Sequence, residues 1–118
     1  MPIITRLDAP GVLHHVMIRG IESRNILDDN KDRDNLFTRL EKLIPETKTS
    51  CYAWSFLTNH AHFLFRTGTT GLSTLMKRLL TGYVVSFNRR HARHGPLFQN
   101  RFKSIVCREN TYLKELVR

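Results

Sequence analysis

Residues 51–66 read CYAWSFLTNHAHFLFR, and their pattern decides the fold. Cys51 to Leu57 is rich in aromatic side chains, Thr58-Asn59 offers a tight turn, and His60 to Arg66 is a second apolar run. Two such runs about a two-residue turn predict an antiparallel β-hairpin. Successive side chains of a strand point to opposite faces. Ala61, Phe63 and Phe65 therefore share a face that can pack under helices. His60 and His62 share the other, with Cα atoms roughly 6.5–7 Å apart.

Upstream, Gly11 to Arg19 (GVLHHVMIR) predicts a first strand that Gly20 ends. Asp28-Asp29-Asn30 offers helix N-caps, and Leu36, Phe37, Leu40, Leu43 and Ile44 recur at helical spacing. A helix is expected from about Lys31 to Ile44, with Pro45 near its end and Asp32 and Asp34 where the helix dipole favours negative charge. Downstream, Ser73 is the N-cap candidate of a long helix to about His91. Leu72, Leu75, Met76, Leu79, Tyr83 and Phe87 mark one face of that helix, and Gly82 weakens it by roughly 1 kcal/mol. Ser104 to Cys107 predicts a short fourth strand, and Asn110 caps a last helix from Thr111.

The order β-α-β-β-α-β is that of an α+β, ferredoxin-like fold, with an antiparallel sheet and two helices on one face. The other face is open for a ligand or for dimerisation. At 118 residues and 41% hydrophobic, the chain makes one domain with a real core. It has no apolar run long enough for a transmembrane helix and no signal-peptide pattern, which points to the cytoplasm. Cys51 and Cys107 show no CxxC spacing and read as reduced thiols.

Charge narrows the partner. Residues 1–76 hold 9 basic and 8 acidic groups, a net of +1; residues 77–118 hold 10 and 2, a net of +8. Such a segment suits a polyanion, with a solvated face as the plainer alternative. Lys77 and Arg78 stand about three helical turns before Asn88 and Arg89, so these cations are expected on one flank of the helix. Arg90, Arg93, Arg101 and Lys103 continue the series, and Arg19 ends the first strand. Phe98 and Phe102 are interleaved with these cations; they either stack unpaired bases or pack under the last strand.

Two imidazoles on one strand face can converge on one metal ion. They do not fill a coordination sphere, so open positions would remain for water or a phosphate oxygen. That suggests Lewis-acid activation of phosphodiester chemistry. His15 on the first strand and Asn59 in the turn are candidate neighbours of the site; His14 reads as structural, and His91 and His94 as phosphate contacts.

Three segments carry a resemblance: HHVMIRG, NHAHFLF, and RRHARHGPLFQNRFKS after the long helix. The chain resembles the REP-associated tyrosine transposases, which are IS200-like transposases of the His-hydrophobic-His single-strand endonuclease superfamily. Thr58 stands where that family usually has proline. The resemblance implies cleavage and rejoining of single-stranded hairpin DNA, with Mg2+ or Mn2+ on His60 and His62. It implies a tyrosine nucleophile on the last helix, which the family pattern places immediately beyond Arg118. Residues 1–118 would then be one nuclease domain cut short of its nucleophile, and Tyr52, Tyr83 and Tyr112 are not expected to replace it. Two other readings remain: a non-catalytic single-stranded nucleic-acid-binding module, and a zinc-dependent hydrolase or structural zinc domain.

Overall fold

The computed structural model describes residues 10–99 and 102–107. Its elements are β1 (Leu13–Arg19), α1 (Asn30–Glu46), β2 (Ser50–Phe56), β3 (His60–Arg66), α2 (Leu72–Arg90) and β4 (Lys103–Val106). All strand pairs are antiparallel, and the sheet order is β2-β3-β1-β4. This is the expected ferredoxin-like arrangement. The helix expected from Thr111, with Tyr112, lies outside the described residues.

One sheet face is the core. Val16 and Ile18 from β1 and Ala61, Phe63 and Phe65 from β3 are buried there. Leu36, Leu40 and Leu43 of α1 and Leu72, Leu75, Met76, Leu79, Tyr83 and Phe87 of α2 pack over them. The segment before α1 contributes too. Ile26 and Leu27 are buried, their amides donate to the Thr58 carbonyl, and the Tyr83 hydroxyl donates to the Ile26 carbonyl at 2.5 Å. The hairpin turn is thus pinned from below, with threonine in place of proline. Gly20 lies at a point of close approach, where a Cβ would sit 2.0 Å from the Arg24 carbonyl oxygen.

Several local details differ from expectation. Asp29, one of the three expected caps, accepts from the Asp32 amide at 3.0 Å, but α1 runs on past Ile44 to Glu46 with Pro45 inside its last turn. The N-cap of α2 is Gly71 at φ 88°, and Ser73 lies within the first turn. Phe37 is turned out of the core against Trp54, with ring centroids 5.4 Å apart. Gly82 has a packing reason. The Arg39 guanidinium crosses α2 there, 2.5 Å from where a Cβ would stand, and Asn35 accepts from Arg39 while donating to Ser86. Cys51 and Cys107 are free thiols; burial pushes Cys51 up to about 11, which keeps it protonated and unreactive.

Candidate active site

The open sheet face carries the histidines. In the register of the sheet, Arg19 lies opposite His60, Met17 opposite His62, and Lys103 opposite Met17. Paired residues share a face, so His60, His62, His15, Arg19 and Lys103 stand together on the side away from the helices. The His60 and His62 rings meet edge to face with centroids 4.9 Å apart. His60 Nδ1 donates to Asn59 Oδ1 at 2.7 Å, and His62 Nδ1 shares a hydrogen bond with His15 Nε2 at 3.1 Å. Each imidazole is therefore oriented through one nitrogen while Nε2 is left as a donor atom. Metal-binding histidines are characteristically held this way. The pair fits a divalent ion as two nitrogen ligands, with Asn59 and His15 as orienting partners. No third ligand joins them among the described residues.

Burial favours the neutral ring at His15 and at His62. Burial lowers the pKa of His15, and burial followed by His15, His60 and Arg19 lowers that of His62. Folded imidazoles with depressed pKa bind fewer protons than unfolded ones, so their contribution to stability is complete above pH 6.5 and declines as pH falls below it. Thermal melts from pH 8 to pH 5 should show a smaller loss of Tm for a His15→Gln/His62→Gln variant than for the parent. Equal losses would count against this assignment.

The remaining cations do not form one flank. Arg78 turns to α1 and donates to Glu46 at 2.6 Å, whereas Lys77 lies on the β4 side beside Leu80, Thr81 and Phe102. Arg89 is exposed. Arg93 braces its own loop, donating to Asn88 Oδ1 at 2.7 Å and to the Pro96 carbonyl at 3.0 Å. Arg101 lies outside the described residues. The Arg90 guanidinium is engaged by the Asp29 carboxylate and by Asp32 at 2.6 Å, so much of its charge is already matched within the protein. His91 joins the same network, with Nε2 at 2.9 Å from Asp32 Oδ2, and so is not turned to a phosphate. Phe98 is buried and Phe102 is packed against the core, which decides for packing over base stacking. Their segment still reaches the site. The Ile21 amide donates to the Leu97 carbonyl and the Gln99 amide donates to the Arg19 carbonyl, so the chain before β4 runs beside the end of β1.

Among the described residues, Asp28, Asp32 and His91 bring ligand atoms within 4.8 Å of one another. Arg90 already supplies the cation there, and the Asp28 amide donates to Asp32 Oδ2 at 2.9 Å. The cluster locks the start of α1 to the end of α2. Local sequence reasoning missed it because its members are 59 residues apart.

Sequence comparison matches residues 10–117 to the family model "Transposase IS200 like". The chain belongs to the IS200-like transposase family. It therefore has a transposase role. Its fold is similar to that of a REP-associated tyrosine transposase solved bound to a REP hairpin, with a TM-score of 0.73 and 17% identity over 99% of this chain and 68% of that one. It is also similar to a transposase candidate from Deinococcus radiodurans, with a TM-score of 0.66 and 13% identity over 98% and 94% of the two chains. No curated protein matches the sequence. No described helix is long and apolar enough to cross a membrane.

Proposed function

We propose that this transposase cleaves and rejoins single-stranded DNA at hairpins on its open sheet face. His60 and His62 hold a divalent ion, Mg2+ or Mn2+, and a tyrosine hydroxyl from the helix expected after residue 110 attacks the phosphorus. A 5′-phosphotyrosine bond forms as the bond to O3′ breaks, the phenol proton ends on the leaving 3′-hydroxyl, and attack by a 3′-hydroxyl reverses the step. The observation that carries this reading is the pair of oriented imidazoles, each tethered by one nitrogen, on the same face as Arg19 and Lys103. A bound divalent ion supplies Lewis-acid polarisation of the phosphate and stabilises the leaving oxygen. The chain's own groups do the rest. Arg19 and Lys103 neutralise phosphates flanking the scissile one. Asn59 and His15 hold the rings in the tautomer and orientation that present Nε2.

The described tyrosines do not serve as the nucleophile. Tyr83 is buried, its hydroxyl is spent on Ile26, and burial raises its pKa. The Tyr52 hydroxyl is held by Arg66, at the other end of β3 from His60. With a reference pKa near 10, a phenol needs assistance close to the reacting phosphate.

The DNA reading is tested by fluorescence anisotropy with a hairpin oligonucleotide carrying single-stranded flanks, titrated across a range of salt. Each phosphate neutralised on a single strand contributes about −0.7 to the slope of log K against log salt. Replacing Arg19 and Lys103 with glutamine should make that slope shallower by about 1.4 in total. An unchanged slope would remove both residues from the interface.

A further inference from the structure

We propose that Tyr52, held by Arg66, is a stacking platform for an unpaired nucleobase of the DNA strand lying on the histidine face. The inference rests on the DNA reading above and adds a base-binding subsite to it. It begins with an irregularity in β2. A regular strand would place Tyr52, Trp54 and Phe56 on one face. Instead, the pairing register shifts between Cys51 and Ala53. Trp54 then lies opposite Phe63 and Phe56 opposite Ala61, on the helix side, while Ala53 lies opposite Leu64 and Ser55 opposite His62 on the histidine side. Tyr52 is the extra residue. Bulges of this kind re-aim a side chain, often beside active sites.

Tyr52 is aimed toward the histidine face. Arg66 shares the alternation of His60, His62 and Leu64 along β3, and its Nε donates to the Tyr52 hydroxyl at 2.9 Å. Its guanidinium carbon lies 5.6 Å from the Tyr52 ring centroid, and Nη1 donates to the Gly11 carbonyl at 3.0 Å. The ring is thus oriented by a cation that is itself anchored, yet Tyr52 is 48% exposed. Rigid, exposed aromatic rings beside cations are the elements that hold single strands, through base stacking and phosphate attraction.

The ground between Tyr52 and the histidines also suits bases. Ala53, Ser55 and Leu64 floor a shallow depression with His15 and His62 at its edge. The short side chains of Ala53 and Ser55 leave room for a flat ring over this ground. Tyr52 lies level with Leu64 and Phe65, two to three residues from His62 and roughly 8 Å along the strand. That span equals about two stacking steps at roughly 3.4 Å each.

The test uses a labelled hairpin with thymine-rich single-stranded flanks, bound by the parent, Tyr52→Ala and Tyr52→Phe. Each flank position is replaced in turn by an abasic site. Stacking predicts that Tyr52→Ala weakens binding by about 5- to 150-fold, the range for losing one stacked base. Tyr52→Phe should stay within about twofold of the parent, since the ring persists. One abasic position should weaken the parent by a similar factor and leave Tyr52→Ala indifferent. Parent-like binding by Tyr52→Ala overturns the subsite, as does a parent that tolerates an abasic site at every flank position. A parent that binds no flanked hairpin overturns the DNA reading itself, and the subsite with it.

Discussion

Replacing both His60 and His62 with alanine should abolish binding of Mn2+ while leaving the fold intact. Removal of an outer partner of a metal ligand typically costs 10- to 100-fold in affinity, so His15→Ala or Asn59→Ala alone should fall in that range. Loss of both ligands should exceed about a hundredfold, beyond the upper end of that range. Both side chains are only partly buried and lie on the face away from the core, so the melting temperature should barely change. Surface substitutions of this kind usually stay within about 0.5 kcal/mol. Calorimetric or electron-spin titration with Mn2+ reads the first effect and thermal unfolding reads the second. A double variant that titrates like the parent would remove the metal from this site. Under the function proposed above, DNA strand cleavage should be lost in parallel with the metal.

The largest stability effect should come from Asp32→Ala. Two accounts of Asp32 predict different magnitudes. An acidic side chain in the first turn of a helix gains about 0.3–1 kcal/mol from the dipole. Deleting a buried carboxylate leaves the groups that donate to it without an acceptor, a cost of about 1–3 kcal/mol. Asp32 is 0% exposed and accepts from the Asp28 amide, Arg90 Nη1 and His91 Nε2. The larger value therefore applies. For a chain of this size about 1 kcal/mol corresponds to about 4 °C, so Tm should fall by about 4–12 °C. Asp34→Ala, at an exposed position on the same helix, should change it by about 2 °C or less. Similar melting temperatures for the two variants would show that Asp32 acts only through the dipole. Arg90→Ala should also lower Tm, because it leaves the buried carboxylate with only His91 and the Asp28 amide.

The hairpin, both helices and the histidine face were legible in the sequence because each is written in a short period. Alternation over HAHFLFR separates Phe63 and Phe65 from His60 and His62 within seven residues. The 3.6-residue spacing of Leu75, Met76, Leu79, Tyr83 and Phe87 marks the buried side of α2 in the same local way. The basic stretch was less legible. Composition counts Arg78, Arg90 and Arg93 as cations for DNA, but it does not show that Arg78 meets Glu46, that Arg90 is held by Asp29 and Asp32, or that Arg93 braces a loop. The bulge at Tyr52 was hidden for a related reason. Nothing in CYAWSFL breaks alternation, and the shift exists only relative to the partner strand.

By itself, then, the sequence determined the order of elements, the face on which the two histidines stand, and the family resemblance that the family match bears out. The tertiary structure decided which nitrogens are tethered, which cations are already neutralised, and where the one exposed tyrosine ring among the described residues is aimed. The division has a physical cause. Backbone geometry repeats every two or 3.6 residues, so the face of a side chain can be read from its near neighbours. The partner of a side chain depends on which distant segments pack together. His15 meets His62 across 47 residues and Arg90 meets Asp29 across 61, distances at which no local period survives.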